Sequence, residues 1–95
     1  MKIKNFVRIV DGRLRTEPPV DAFASIQFEL SRLMSGDLFI DTQASRQTLH
    51  AAIDKGAYAV LSTLSYVDED TECAWIEVDS IETTLVRLLR YLINE

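Results

Sequence analysis

The stretch GDLFIDTQASRQTLHAAIDKGAYAVLS, residues 36–62, decides the fold. Within it, Leu38-Phe39-Ile40 is a compact apolar run, the pattern of a strand buried on both faces. Ser45 can cap a helix running to about Lys55, because its hydroxyl can accept from a first-turn N–H that has no partner inside the helix. Leu49, Ala52 and Ile53 give that helix a narrow apolar face, and Gly56 ends it. Residues 57–62 then read as a central strand. Strand, helix, glycine and strand in this order make a β-α-β crossover, so at least part of the sheet is expected to be parallel.

Upstream, Ser35-Gly36 makes a turn, and before it Ile26, Phe28 and Leu30 alternate with Gln27 and Glu29, as in a strand with one face on a core. Residues 13–21 contain Pro18-Pro19 and read as extended loop, with a short strand around Leu14. Ile3, Phe6, Val7 and Val10 fall at helical spacing, although Asn5, Val7 and Ile9 would also alternate in a strand; Gly12 favours the helix, as its C-terminal stop.

Downstream, the acidic residues 67–72 read as a loop and residues 74–78 as a strand whose Trp75 and Ile76 point to opposite, covered faces. Asp79-Ser80-Ile81-Glu82 reads as a capping box with Asp79 accepting from the first-turn amides. Ile81, Leu85, Leu88, Leu89 and Leu92 form the apolar stripe of the helix that follows, and Arg87 and Arg90 suit its negative pole. The whole predicts one α/β domain over residues 1–95: a mixed, partly parallel sheet of four or five strands flanked by two or three helices.

Composition is that of a globular chain, 47% apolar and 26% charged over 95 residues. A net charge of -5 argues against a nucleic-acid surface, which needs unopposed Lys and Arg. The charges are uneven: Lys2, Lys4, Arg8, Arg13 and Arg15 crowd the start, whereas residues 68–82 hold seven acids and no base. That pattern suits either solvated faces or a bipolar surface for a complementary partner. Cys73 is the only cysteine, so no internal disulfide can form. No stretch approaches the roughly 20 apolar residues of a membrane span. Together these features place the chain in the cytoplasm.

No Gly-Lys pair occurs, so the phosphate-cradling loop of P-loop ATPases is missing, and three isolated glycines make no dinucleotide fingerprint. His50 is the sole histidine, expected as a surface or half-buried residue of its helix near Asp54, with no second His or nearby Cys to share a zinc ion. Cys73 lies among acids, which discourages its thiolate form. Trp75 fits a core position better than a stacking platform. No catalytic residues, metal site or cofactor are expected of this chain.

Residues 26–40, 51–61 and 74–89 resemble the N-terminal domain of Mur ligases of the MurE and MurF type. The pattern there is a strand ending in Asp-Ser-Arg, four residues, Gly-Asp-Leu-Phe, a helix, Gly-Ala, a strand, and a Val-Asp step into a last helix. Gly36-Asp37-Leu38-Phe39, Lys55-Gly56-Ala57 and Val78-Asp79 match in order. The resemblance implies a domain that helps hold the uridine nucleotide of a UDP-linked muropeptide in enzymes that extend it during peptidoglycan synthesis. Such a domain performs no ligation alone.

Two departures qualify the resemblance. Counting back from Gly36, Asp-Ser-Arg falls on Glu29, Leu30 and Ser31, so the nucleotide-contacting serine is replaced by Leu30 and the Ser31-Arg32 pair is one residue out of register. In a strand, one residue of slip reverses the face. The segment between Leu38-Phe39 and Ala52-Ile53 is also short, and the glycine-containing loop near the substrate has no counterpart. By resemblance, the positions left for substrate contact are Ser31, Arg32, Gly36, Asp37, Thr42 and Gln43. The expectation is a non-catalytic, degenerate Mur-type domain that binds a UDP-linked muropeptide, a cell-wall enzyme or a second copy of itself, with no nucleic-acid or membrane partner. The rival expectation is a working UDP-muropeptide-binding domain whose ATPase and C-terminal parts lie elsewhere.

Overall fold

Apolar residues at helical spacing near the start wind into α1 (Ile3–Val10) in the computed structural model, which describes residues 1–65 and 72–94. Ile3, Phe6 and Val10 are its buried face, and the T-shaped contact of Phe6 with Phe23, centroids 5.4 Å apart, ties it to the loop ahead of the second strand. The stop falls one residue earlier than expected. Asp11, at φ 54°, takes the left-handed position, and the N–H of Gly12 donates to Val7 O at 2.9 Å. Gly12 answers a different constraint: a Cβ there would lie 2.8 Å from Ile76 Cγ2 and 3.4 Å from atoms of both Val10 and Val78.

The strands are β1 (Arg13–Leu14), β2 (Ile26–Gln27), β3 (Leu38–Ile40), β4 (Ala59–Ser62) and β5 (Ala74–Glu77), with α2 (Arg46–Asp54) between β3 and β4 and α3 (Ile81–Ile93) last. They form one five-stranded sheet in the order β1-β5-β4-β3-β2. The pairs β2/β3, β3/β4 and β4/β5 are parallel, and β1 runs antiparallel on β5. The expected mixed, partly parallel α/β architecture is what the chain adopts.

Alternation along the three inner strands sorts the core into two layers. Leu38, Ile40, Ala59, Leu61, Ala74 and Ile76 face α1 and α3, while Phe39, Val60 and Trp75 face α2, packing with Leu49 and Ala52. Phe39, Val60 and Trp75 are register partners, so they form one row across the sheet. Trp75 and Ile76 do occupy opposite buried faces.

Three sequence expectations need correction. The strand read over Ile26, Phe28 and Leu30 stops at Gln27: Phe28 is exposed, and the chain enters a 3-10 turn, Leu30–Arg32. Leu30 and Leu33 are thereby tucked into the α2-side cluster, burial that a longer edge strand would forgo. The face-reversal argument for Arg32 accordingly has no strand to act on. At α3 the cap is Ser80, whose hydroxyl accepts from the N–H of Thr83 at 3.2 Å, because Asp79 is drawn to Arg13 at 2.9 Å. Along α3, Thr84 and Leu88 are buried, whereas Leu89 and Leu92, assigned above to the core stripe, are 58% and 57% exposed.

The uneven charges meet one another. Arg13 reaches Glu77 at 3.2 Å as well as Asp79, and Arg15 reaches Glu77 at 3.2 Å. Hydrogen bonds to Glu77 and then Asp79 hold the Arg13 guanidinium above its ordinary pKa. Of the two alternatives for the uneven charges, the bipolar surface is thus partly neutralised across β1 and β5. The remainder of the acidic loop, residues 67–71, lies outside the described residues. Among the described residues no helix is long and apolar enough to cross a membrane.

Because the atoms around Gly12 belong to three buried side chains, Gly12→Ala is expected to overpack this corner. The expected loss is about 1–3 kcal/mol, measured by urea unfolding; an unchanged midpoint would show that the helix–sheet corner can yield.

Candidate functional site

The carboxyl end of a parallel sheet is where connecting loops and helix N-termini converge, and here that end is organised by Asp41, the residue after β3. Its side chain is buried, and its carboxylate accepts from the N–H of Gln43 at 3.1 Å, the N–H of Ser45 at 3.0 Å and the hydroxyl of Ser62 at 3.0 Å. Ser62 Oγ in turn accepts from the N–H of Leu64 at 3.0 Å. The loops after β3 and β4 are therefore tied through one carboxylate. Ala44, at φ 51°, is held in a conformation that L side chains rarely take, between two amides gripped by Asp41.

Ser45 begins α2, and its Oγ accepts from the N–H of Thr48 at 3.2 Å. Among the described residues the amides of Arg46 and Gln47 have no such cap and no acid stands in the first turn, but the Asp41 carboxylate on the Ser45 amide lies against this positive end. Arg46 donates through Nη2 to Ser65 O at 3.0 Å; its Nη1 is buried without a hydrogen-bond partner among the described residues. Thr42, Gln43, Ala44, Thr63 and Ser65 surround this corner and are exposed. Such an arrangement offers hydrogen bonds to a polar ligand, while the Asp41 carboxylate offsets part of the positive pole of the helix. Among the described residues no cluster of three His, Cys, Asp or Glu could hold a metal ion.

The six positions carried over from the resemblance do not converge. Thr42 and Gln43 stand at the Asp41 corner. Gly36 and Asp37 sit at the other end of β3, roughly 16 Å away for five residues of extended chain. Gly36, at φ +96°, lies under the ring of Tyr58, and its N–H donates to Gly56 O at 2.9 Å. Asp37 is buried and accepts from the N–H of Ser25 at 3.2 Å and of Met34 at 3.0 Å, holding the turn into β3 rather than facing solvent. Ser31 and Arg32 lie exposed on the 3-10 turn, where Arg32 pairs with Glu29 at 3.3 Å. That turn is fastened to the end of α2 by Lys55 Nζ on Leu30 O at 2.6 Å.

Asp41, Ser62 and Arg46 were not singled out from sequence. A signal for Asp41 existed: an Asp directly after a buried apolar run and shortly before a capping Ser is the pattern in which a carboxylate organises a loop through local amides. Ser62 and Arg46 meet it only through β4 pairing and the loop beyond it, which local sequence does not encode. His50 is exposed on α2, as expected. For Cys73 the structure adds a cause that the sequence argument did not name, and the acids 68–70 lie outside the described residues. Burial pushes the thiol up to about 12, so it is not a thiolate at neutral pH.

Comparison with models of protein families and with curated proteins finds no match. Solved structures do share the fold. They include two crystal structures of MurF from Acinetobacter baumannii, each 17% identical with a TM-score of 0.74 over 95% of this chain. A structure of UDP-N-acetylmuramoylalanyl-D-glutamyl-2,6-diaminopimelate--D-alanyl-D-alanyl ligase from the same organism matches equally, at 17% identity and a TM-score of 0.74. The chain spans about one fifth of the length of these proteins. At such identity the likeness establishes the fold: a Mur-ligase-like domain architecture.

Two outcomes test the site chemistry. Asp41→Ala strands two amides and a hydroxyl that are now satisfied, and is expected to cost about 2–4 kcal/mol in urea unfolding, with faster amide exchange at Gln43 and Ser45; Asp41→Asn, which keeps one carbonyl oxygen, should cost less. For Cys73, burial raises the folded thiol from the ordinary 9.0 to about 12. The stability from keeping it neutral is complete below pH 9 and lost as pH rises toward 12. The stability difference between the wild type and Cys73→Ala should be flat below pH 8, then shift against the wild type above pH 9 by up to about 1.4 kcal/mol per pH unit. A flat difference up to pH 11 would show a solvated thiol.

Proposed function

We propose that this chain is a Mur-ligase-type domain that acts by binding and performs no ligation, in the cytoplasmic stage of peptidoglycan synthesis. The observation that carries this reading is Leu30. By the resemblance it stands where a serine would contact the nucleotide, and here it packs into the α2-side core with its carbonyl held by Lys55. A residue used that way is a scaffold element. Gly36 and Asp37 hold turns and amides at the sheet's amino end, which supports the same reading: the matched motif is the part of the domain that folding itself requires.

A second reading has one specific observation in its favour. The N-terminus of α2, the Nη1 of Arg46, buried and without a hydrogen-bond partner among the described residues, and the braced loop at Asp41 form a corner where an anion such as a nucleotide diphosphate could sit. On that reading the chain is a working UDP-muropeptide-binding domain whose catalytic parts lie on further chain, as in proteins roughly five times as long.

Titrating a UDP-MurNAc-peptide into isotopically labelled protein and following amide shifts separates the two. The expected result is no movement at residues 41–46 and 62–65 up to about millimolar ligand, a weak-binding ceiling near -4 kcal/mol. Saturable shifts at those residues with a dissociation constant below about 100 µM would replace the first reading by the second, and Arg46→Ala should then abolish them.

A further inference from the structure

Helix α3 carries a row of apolar side chains that no described element covers. Val86, Leu89 and Ile93 are 47%, 58% and 70% exposed. At spacings of three and four they fall on one line of the helix, nearly half a turn from Thr84 and Leu88, which face the core. Arg87 marks the side toward α1, where it reaches Val10 O at 3.3 Å and Asp11 at 3.6 Å. The apolar row lies away from that side. Single exposed apolar residues are ordinary, but a contiguous row marks a contact surface.

The row has ends of opposite charge. Glu82 opens it, one turn before Val86, and Arg90 flanks its far end, between Leu89 and Ile93; both are exposed. We propose that the row is the contact by which two copies of this chain pair, α3 against α3, antiparallel about a two-fold axis. Centring the axis between Val86 and Leu89 sets Val86 of each copy on Leu89 of the other. Ile93 then lies over the aliphatic stem of the other copy's Glu82, whose carboxylate comes beside Arg90. Two-fold symmetry makes each contact twice. Antiparallel packing also opposes the two helix dipoles. Parallel pairing would place Glu82 on Glu82 and Arg90 on Arg90. A lipid surface is a poorer occupant, because the row is headed by a carboxylate and the chain carries a charge of -5 against anionic headgroups.

The row offers a few hundred Å² per copy, less than the roughly 800 Å² per partner of a standard stable interface, and like net charge opposes the pairing, so the dimer is weak and concentration-dependent. The inference is independent of any nucleotide site, since its assay contains no nucleotide. Sedimentation velocity of the full chain from about 5 to 500 µM is expected to show conversion from monomer to dimer. Leu89→Glu should weaken the dimer at least about tenfold while leaving the monomer's circular dichroism intact. Glu82→Arg and Arg90→Glu should each weaken it, and together restore it to within about threefold of the wild type. A monomer throughout the range, a dimer indifferent to Leu89→Glu, or a double exchange that fails to restore pairing would each overturn the proposal.

Discussion

The structure depends on one constraint: the inner strands must be dry on both faces. Leu38, Phe39 and Ile40 are all buried, as are all four residues of β4. A strand with no polar side must be covered above and below, which in a parallel sheet requires helices on both faces and crossover connections between strands. Everything else follows that demand. Leu49 and Ala52 of α2 close one layer; Ile3, Phe6 and Val10 of α1, with Leu88 of α3, close the other. The close approach at Gly12 lets the α1-to-β1 corner meet Ile76 with no side chain between them.

A dry strand also fixes what happens at its ends, where the backbone must leave the sheet without abandoning its hydrogen bonds. β3 is bracketed by two buried carboxylates, Asp37 before it and Asp41 after it, each accepting backbone amides from the adjoining turn. The two residues look alike in sequence and are used alike locally. They differ in what lies beyond. Asp37 closes a turn packed under the ends of other loops, whereas Asp41 also takes the Ser62 hydroxyl and so fixes the loop after β4 relative to the start of α2. The second end also presents the N-terminus of α2 beside the exposed side chains of Thr42, Gln43, Thr63 and Ser65, which the Gly36-Asp37 turn does not.

How much of this was legible follows from the range of the interactions. The crossover at residues 36–62, the Ser45 cap, the stop at Gly56 and the opposed faces of Trp75 and Ile76 are set by neighbours in sequence and were readable. The shortened β2 was not, because its alternating apolar pattern is satisfied equally by a strand and by Leu30 turning under α2; the choice is made by a helix more than a dozen residues away. The cap of α3 moved from Asp79 to Ser80 for the same reason, a competing partner on β1. The site residues suffered most. The positions carried over from the resemblance lie on either side of β3, and a strand holds its two ends apart.

The reading of α3 turns on what an apolar residue in a helix is for. Five apolar positions were assigned to one core-facing stripe, yet a helix packed on a sheet and beside α1 can bury only part of its circumference. Thr84, a polar residue, lies at the centre of the buried face because its hydroxyl is satisfied by Ser80 O at 2.8 Å, while Leu89 and Leu92 stay in solvent. Burial here is decided by position around the helix and not by hydrophobicity. Val86, Leu89 and Ile93 are therefore surplus to the domain's own core, and the helix gains nothing from them in isolation that a polar residue of similar helix propensity would not supply. A surface that the fold does not need is where an interaction can be built at no cost to the fold, and that separates α3 from the Asp41 corner, where the same groups that could meet a ligand also hold the loops in place.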